Sequence, residues 1–181
     1  EDTVLFCSSY SGNTEETLSC LEKGLKKKAF IITVGSGGRL KELYLKNNIT
    51  HIPIPFGYPP RTAIGYMSIT ILAILARLGL IKDKENDVKE LCGVLSDIRD
   101  KEIGSEVHLA KNISKQIAIK LYKKYPVIYG TADTTEAVAM RWREQIAENA
   151  KALSSGNVFP EMNHNEIVGW KFPENILKDF K

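Results

Sequence analysis

The stretch from Thr3 to Thr17 constrains this chain most, because an apolar run, Thr3-Val4-Leu5-Phe6, passes directly into hydroxyls, a glycine and a helix start. That order reads as strand, loop, helix. Ser9, Ser11 and Thr14 offer hydroxyl donors, Gly12 lets the backbone approach a ligand closely, and a helix opening near Asn13 or Thr14 presents free N–H groups and its positive dipole end. A phosphate fits such a loop. So does a plain capped helix, since Asn13 followed by Glu16 can form a capping box. Spacing alone leaves both readings open.

The alternation continues. Leu18, Leu21 and Leu25 give residues 14–28 a helical stripe, and Ala29 to Val34 is a continuous apolar, β-branched run suited to a buried parallel strand. Gly35-Ser36-Gly37-Gly38 ends that strand in a tight turn and is not a complete dinucleotide fingerprint. Residues 39–47 are helical again, and His51-Ile52-Pro53-Ile54-Pro55 is extended because each proline biases its predecessor away from helix. Strand, helix, strand, helix, strand predicts an α/β fold with a parallel sheet and helices on its faces.

Pro59-Pro60-Arg61 precedes a long apolar helix over about 62–80, whose all-round hydrophobicity predicts burial between other elements. A charged stretch, 82–87, leads to a helical stripe of Val88, Leu91, Cys92, Leu95 and Ile98. A second cycle starts near Ser105. Ala110, Ile113, Ile117 and Leu121 line a helix, Pro126 to Gly130 reads as a strand, and Asp133-Thr134-Thr135-Glu136 opens a helix over 137–153. There Val138, Trp142, Ile146 and Leu153 share a face, with Arg141 and Glu148 on its shoulder. The expected organisation is a first α/β domain over 1–82, a bridging helical segment over 83–104 and a second α/β domain over 105–181.

Composition excludes several classes. With 181 residues, 43% hydrophobic and 26% charged, the chain can bury a real core. The net charge of +3 contains no basic run interleaved with aromatics, and Lys26-Lys27-Lys28 suits a helix C-terminus, so nucleic acid is not an expected partner. Cys7, Cys20 and Cys92 lack metal-ligand spacing and are odd in number, which predicts reduced thiols in a cytoplasmic protein. The apolar run from Ala63 to Ile81 is interrupted by Arg77 and diluted by Gly65, Tyr66, Ser68 and Thr70, so no membrane span is expected. The chain opens at Glu1, just before a strand that reads as central. Residues missing at both ends are therefore expected.

Four segments carry a family resemblance. Ser9-Tyr10-Ser11-Gly12-Asn13-Thr14-Glu15-Glu16-Thr17 resembles the phosphosugar loop of sugar isomerase (SIS) domains. With Ser36-Gly37-Gly38-Arg39-Leu40-Lys41-Glu42-Leu43, Pro59-Pro60-Arg61-Thr62-Ala63-Ile64-Gly65-Tyr66-Met67, and Glu148-Asn149-Ala150-Lys151 leading to Asn163-His164-Asn165-Glu166, the chain resembles the bifunctional phosphoglucose/phosphomannose isomerases. The resemblance is weakest over about 82–105. It implies two SIS-type three-layer αβα units with parallel sheets, both incomplete in this chain. It implies that Ser9, Ser11 and Thr14 bind the substrate phosphate, Arg61 sits over the reacting carbons, Glu148 is the base and His164 handles the sugar ring. It further implies a homodimer whose active site is completed across the interface, with the histidine from the neighbouring chain. A glycine-rich turn before the loop and C-terminal residues near the sugar belong to the family pattern and are absent here.

The implied chemistry suits these residue types. Converting an aldose 6-phosphate to fructose 6-phosphate moves a proton from C2 to C1 through a cis-enediol, which one carboxylate can carry. A permanent guanidinium stabilises the enediolate, and an imidazole can exchange a proton with the ring oxygen near neutral pH. No metal or other cofactor is needed by this route. Taken singly, each residue has a plainer reading: Glu148 a helix-surface carboxylate paired with Arg141, His164 a turn residue, Arg61 a helix-start ion pair. His51 and His108 keep such a reading, as do Met140 and Trp142. The competing function is a non-catalytic SIS module that senses a phosphosugar.

Overall fold

A computed structural model describes residues 3–171 and 174–180, which divide into two compact units, Glu1–Leu91 and Cys92–Lys181. In the first unit three parallel strands, β1 (Val4–Ser9), β2 (Phe30–Gly35) and β3 (Thr50–Pro53), pair in the order β1-β2-β3. Ser9 lies opposite Gly35, and Gly35 opposite Pro53, so the carboxyl ends of all three strands share one sheet edge. β2 is central. Its residues Ile31 to Gly35 are buried, as a strand covered on both faces requires.

Helices α1 (Glu15–Lys26) and α2 (Gly38–Lys46) cover one face through Leu18, Leu21 and Leu40, which cluster with Cys7 and Ile31. Helix α3 (Ile64–Arg77) covers the other, with Met67 and Ile74 packed against Tyr10, Val34, Ile54 and Ala63. This is the expected three-layer αβα arrangement. Leu21 and Leu40 are fully buried, each contributing about 1.5–3 kcal/mol of hydrophobic stabilisation. The sequence places α1 well: its leucines recur at helical spacing, Glu15 and Glu16 complement its first turn, and Lys23 and Lys26 complement its last.

Two expectations are corrected here. The apolar α3 has no fully buried residue, because one side meets the sheet while Ile64 and Tyr66 stay exposed, as does Leu78 just after it. The helix start at Thr14 lacks the Asn13–Glu16 capping box. The Asn13 carboxamide instead accepts a hydrogen bond from the Arg39 N–H at 3.0 Å, 26 residues away.

The division between units falls within α4 (Glu85–Ile98), which continues into a wide helical turn over Arg99–Ile103. The second unit then forms α5 (Ile113–Leu121), β4 (Gly130–Thr131), α6 (Glu136–Gln145), β5 (Val158–Phe159), α7 (Glu166–Gly169) and α8 (Glu174–Leu177). β4 and β5 pair in parallel, Gly130 opposite Val158 and Thr131 opposite Phe159. Parallel bridges between Val127 and Ser155, and between Tyr125 and Phe180, extend the same layer towards Pro126.

Helix α5 begins three residues later than its apolar stripe suggests, and Asn112 is the reason. Its fully buried side chain accepts the Lys115 N–H at 2.9 Å and donates to the Gly104 carbonyl at 2.9 Å, which caps the helix. Helix α6 stops at Gln145 rather than continuing to Leu153. A wide turn over Ile146–Ala150 follows, ended by Lys151 at φ 54°. Of the residues expected to pack through that helix, Val138, Met140 and Trp142 are exposed, and Ala139 is its buried contact.

Candidate active site

In the first unit the sheet's carboxyl edge gathers two loops. The Ser9 hydroxyl lies 2.8 Å from that of Thr14 and accepts the Gly12 N–H at 3.0 Å, while the Ser11 hydroxyl accepts the Asn13 N–H at 3.2 Å. Ser9 is buried, and Ser11 and Thr14 are exposed. The second loop, 36–39, closes on the first. The Ser36 hydroxyl donates to the Tyr10 carbonyl at 2.5 Å, the Ser36 N–H donates to the same carbonyl at 3.1 Å, and the Leu40 N–H donates to the Gly12 carbonyl at 2.9 Å.

Glycine is obligatory at this clasp. Gly12 sits at φ 71°, and a Cβ built on it would fall 1.8 Å from the Gly37 carbonyl oxygen. Gly38, at φ 64°, would bring a Cβ to 2.4 Å from the Ser11 carbonyl oxygen. The sequence reading of Gly35-Ser36-Gly37-Gly38 as a tight turn holds, yet the turn also braces the neighbouring loop.

Arg61 lies in the same unit, partly buried in a short helical turn over Pro60–Thr62 that follows the third strand. Tyr10 ties its approach to the first loop: the Tyr10 hydroxyl donates to the Pro55 carbonyl at 3.1 Å and accepts the Tyr58 N–H at 2.8 Å. No sequence signal marked Tyr10, whose partners lie 45 and 48 residues away.

Glu148 and His164 belong to the second unit. Glu148 is exposed within the wide turn over Ile146–Ala150, a backbone form that recurs at functional sites. His164 is exposed at the end of a helical turn over Glu161–His164. Next to it, Glu166 accepts the Tyr129 hydroxyl at 2.5 Å on one carboxylate oxygen and the Asn157 amide at 2.8 Å on the other. The Tyr129 hydroxyl and the Asn157 amide hold the Glu166 carboxyl below its ordinary value, and burial together with Glu166 pushes the Tyr129 phenol up to about 12. The Asn163-His164-Asn165-Glu166 segment contains Glu166 but gives no sign of its partners.

The remaining candidates stay structural. His51 stacks on Tyr44 with ring centroids 3.9 Å apart, and its Nδ1 lies 2.9 Å from the Thr33 hydroxyl. His108 accepts the Ala110 N–H. The three cysteines are free, and burial pushes the Cys7 thiol up to about 11, which keeps it protonated and unreactive. Among the described residues no three His, Cys, Asp or Glu side chains are grouped to hold a metal ion, and no helix is long and apolar enough to cross a membrane.

The fold and the hydroxyl loop define a class, and comparison with known proteins agrees with it. Residues 110–181 match the family described as the bacterial phospho-glucose isomerase C-terminal SIS domain. The tagatose-6-phosphate ketose/aldose isomerase of Escherichia coli shares the fold with a TM-score of 0.62 at 15% identity, over 91% of this chain and 45% of that one. The chain thus has the fold of SIS sugar isomerases, and its residues 110–181 match an SIS domain. Along almost its whole length, the chain is similar to the bifunctional phosphoglucose/phosphomannose isomerases. It is 46% identical to the one from Caldicellulosiruptor bescii over 99% of its own length and 52% of that protein's, and 40% identical to the one from Thermoplasma acidophilum over 92% and 48%. The chain therefore spans about half the length of these curated relatives.

Proposed function

We propose that the protein to which this chain belongs is an aldose–ketose isomerase that interconverts glucose 6-phosphate, and also mannose 6-phosphate, with fructose 6-phosphate. The observation that carries this reading is the identity to bifunctional isomerases along almost the whole chain, joined to a hydroxyl loop braced at the carboxyl edge of a parallel sheet. That edge is where open α/β sheets bind ligands.

In this reading Ser9, Ser11, Thr14 and the first turn of α1 hold the phosphate, whose binding energy orients the distant C1 and C2. Glu148 removes the C2 proton and returns it to C1. Arg61 stabilises the enediolate oxygens between those two steps, and its charge persists at any working pH. His164 passes a proton to or from the ring oxygen. The working form is a cytoplasmic homodimer in which His164 comes from the neighbouring chain. Its domains are 1–82 and 105–181, bridged by 83–104.

A coupled assay of the full-length protein, run separately on glucose 6-phosphate and mannose 6-phosphate, tests the activity. Glu148→Gln is expected to lower turnover by about 10²–10⁴-fold while fructose 6-phosphate still binds. Near-normal turnover in that variant would remove Glu148 as the base. Ligand-induced stabilisation of the intact protein without any isomerisation would support a sensor instead.

A further inference from the structure

Glu166 lies two residues after His164, yet its carboxylate is turned to the small parallel sheet of the second unit. One oxygen accepts the Tyr129 hydroxyl, from the segment entering β4, and the other accepts the Asn157 amide, from the residue preceding β5. Asn157 is itself fixed, because its side-chain oxygen accepts the Val158 N–H at 2.8 Å. Tyr129 is fixed too, packed edge-on against Phe159 with centroids 5.8 Å apart. Between histidine and glutamate, the Asn165 side chain accepts the Glu166 N–H at 2.6 Å and donates to Glu161 at 3.1 Å. The turn carrying His164 is therefore stapled on both sides, by Asn165 to Glu161 within the turn and by Glu166 to the sheet.

We infer that Glu166, held by Tyr129 and Asn157, is the positioning residue that sets where His164 stands. This rests on the reading above, in which His164 acts on the sugar ring. Both carboxylate oxygens are engaged by the protein, so Glu166 acts through the histidine and not on substrate. Charge-assisted hydrogen bonds to a partly buried carboxylate are about twice as strong as neutral ones, which suits a tie that must hold a loop side chain to a fraction of an ångström.

The test is a double-mutant cycle in the full-length protein, read as kcat and KM on glucose 6-phosphate. Glu166→Ala is expected to lower kcat by about tenfold to a hundredfold with KM changed less than about twofold, because misplacing a group by about 1 Å costs that much. In a His164→Ala background the same change is expected to alter kcat by less than about twofold. Should Glu166→Ala fail to fold, Tyr129→Phe keeps the shape and removes one hydrogen bond. Its expected loss is about fivefold with histidine present and none without it. Equal losses in both backgrounds, or unchanged kcat in folded Glu166→Ala and Tyr129→Phe, overturn the inference alone. Unchanged kcat in His164→Ala overturns the reading of His164, and the inference falls with it.

Discussion

The chain makes two strand-to-helix loops on one plan. Ser9 to Glu15 leads from β1 into α1, and Gly130 to Glu136 leads from β4 into α6. Each has a threonine at the helix cap, a glutamate after it and a left-handed residue two positions before it. That residue is Gly12 in the first loop and Asp133 in the second. The hydroxyls differ as well: positions held by Ser9, Ser11 and Thr14 correspond to Gly130, Ala132 and Thr135. The Thr135 hydroxyl accepts the Thr131 N–H at 2.9 Å, within its own loop. The first loop is braced by a second loop, and the other carries a carboxylate at its crest. On the proposed function, the shared backbone supports an anion site only where glycine allows bracing and no fixed charge repels the ligand.

The largest break in that comparison should come from Gly12→Ala. The left-handed conformation alone costs about 1–3 kcal/mol in a non-glycine residue, and the overlap with the Gly37 carbonyl adds to it. Chemical denaturation is expected to show marked destabilisation, with fructose 6-phosphate binding lost in the full-length protein. Asp133→Gly, at the matching position, is expected to leave both unchanged or slightly improved. Equal damage at the two positions would show that the loops are equivalent.

Ser9→Ala comes next. It removes the partner of Thr14 and the acceptor of the Gly12 N–H, so calorimetry is expected to show fructose 6-phosphate affinity weakened by about tenfold or more. Thr135→Ala should leave that affinity within about twofold. A matching loss there would give the second loop a binding role.

The second unit has its own titrating tie, which pH should expose. The Glu166 carboxyl is lowered when folded, so its stabilisation is whole above about 4.5 and is lost as pH falls through the lowered value. The Tyr129 phenol is raised, so its contribution is whole below about 10 and is lost as pH rises towards about 12. Glu166→Gln should flatten the acid limb of the stability profile and Tyr129→Phe the alkaline limb. Unaltered limbs would separate the pair from folding stability. The smallest effect is expected from Asn13→Ala, which frees the Arg39 N–H at an exposed site and should cost about 0.5–1.5 kcal/mol by denaturation.

How much could be read in advance depended on how local the cause was. β2 and α1 were legible because a strand buried on both faces writes a continuous apolar run and a one-sided helix writes a stripe. Val158-Phe159 was not, since a two-residue strand has no period to detect. The start of α5 was hidden in Asn112, whose capping role depends on burial against Gly104. Ser9, Ser11, Thr14 and Arg61 stood out by residue type and surroundings. Tyr10, Asn13 and the Tyr129–Glu166 pair did not, because their partners lie between 26 and 48 residues away.

Tyr10 makes the hydroxyl loop and the approach to Arg61 one thermodynamic unit. A ligand that orders residues 9–14 is expected also to hold the Tyr10 hydroxyl on the Tyr58 amide. That amide therefore reports occupancy from a distance: in the full-length protein its hydrogen exchange is expected to slow as phosphosugar is added, and Tyr10→Phe should abolish the response without touching a single ligand contact.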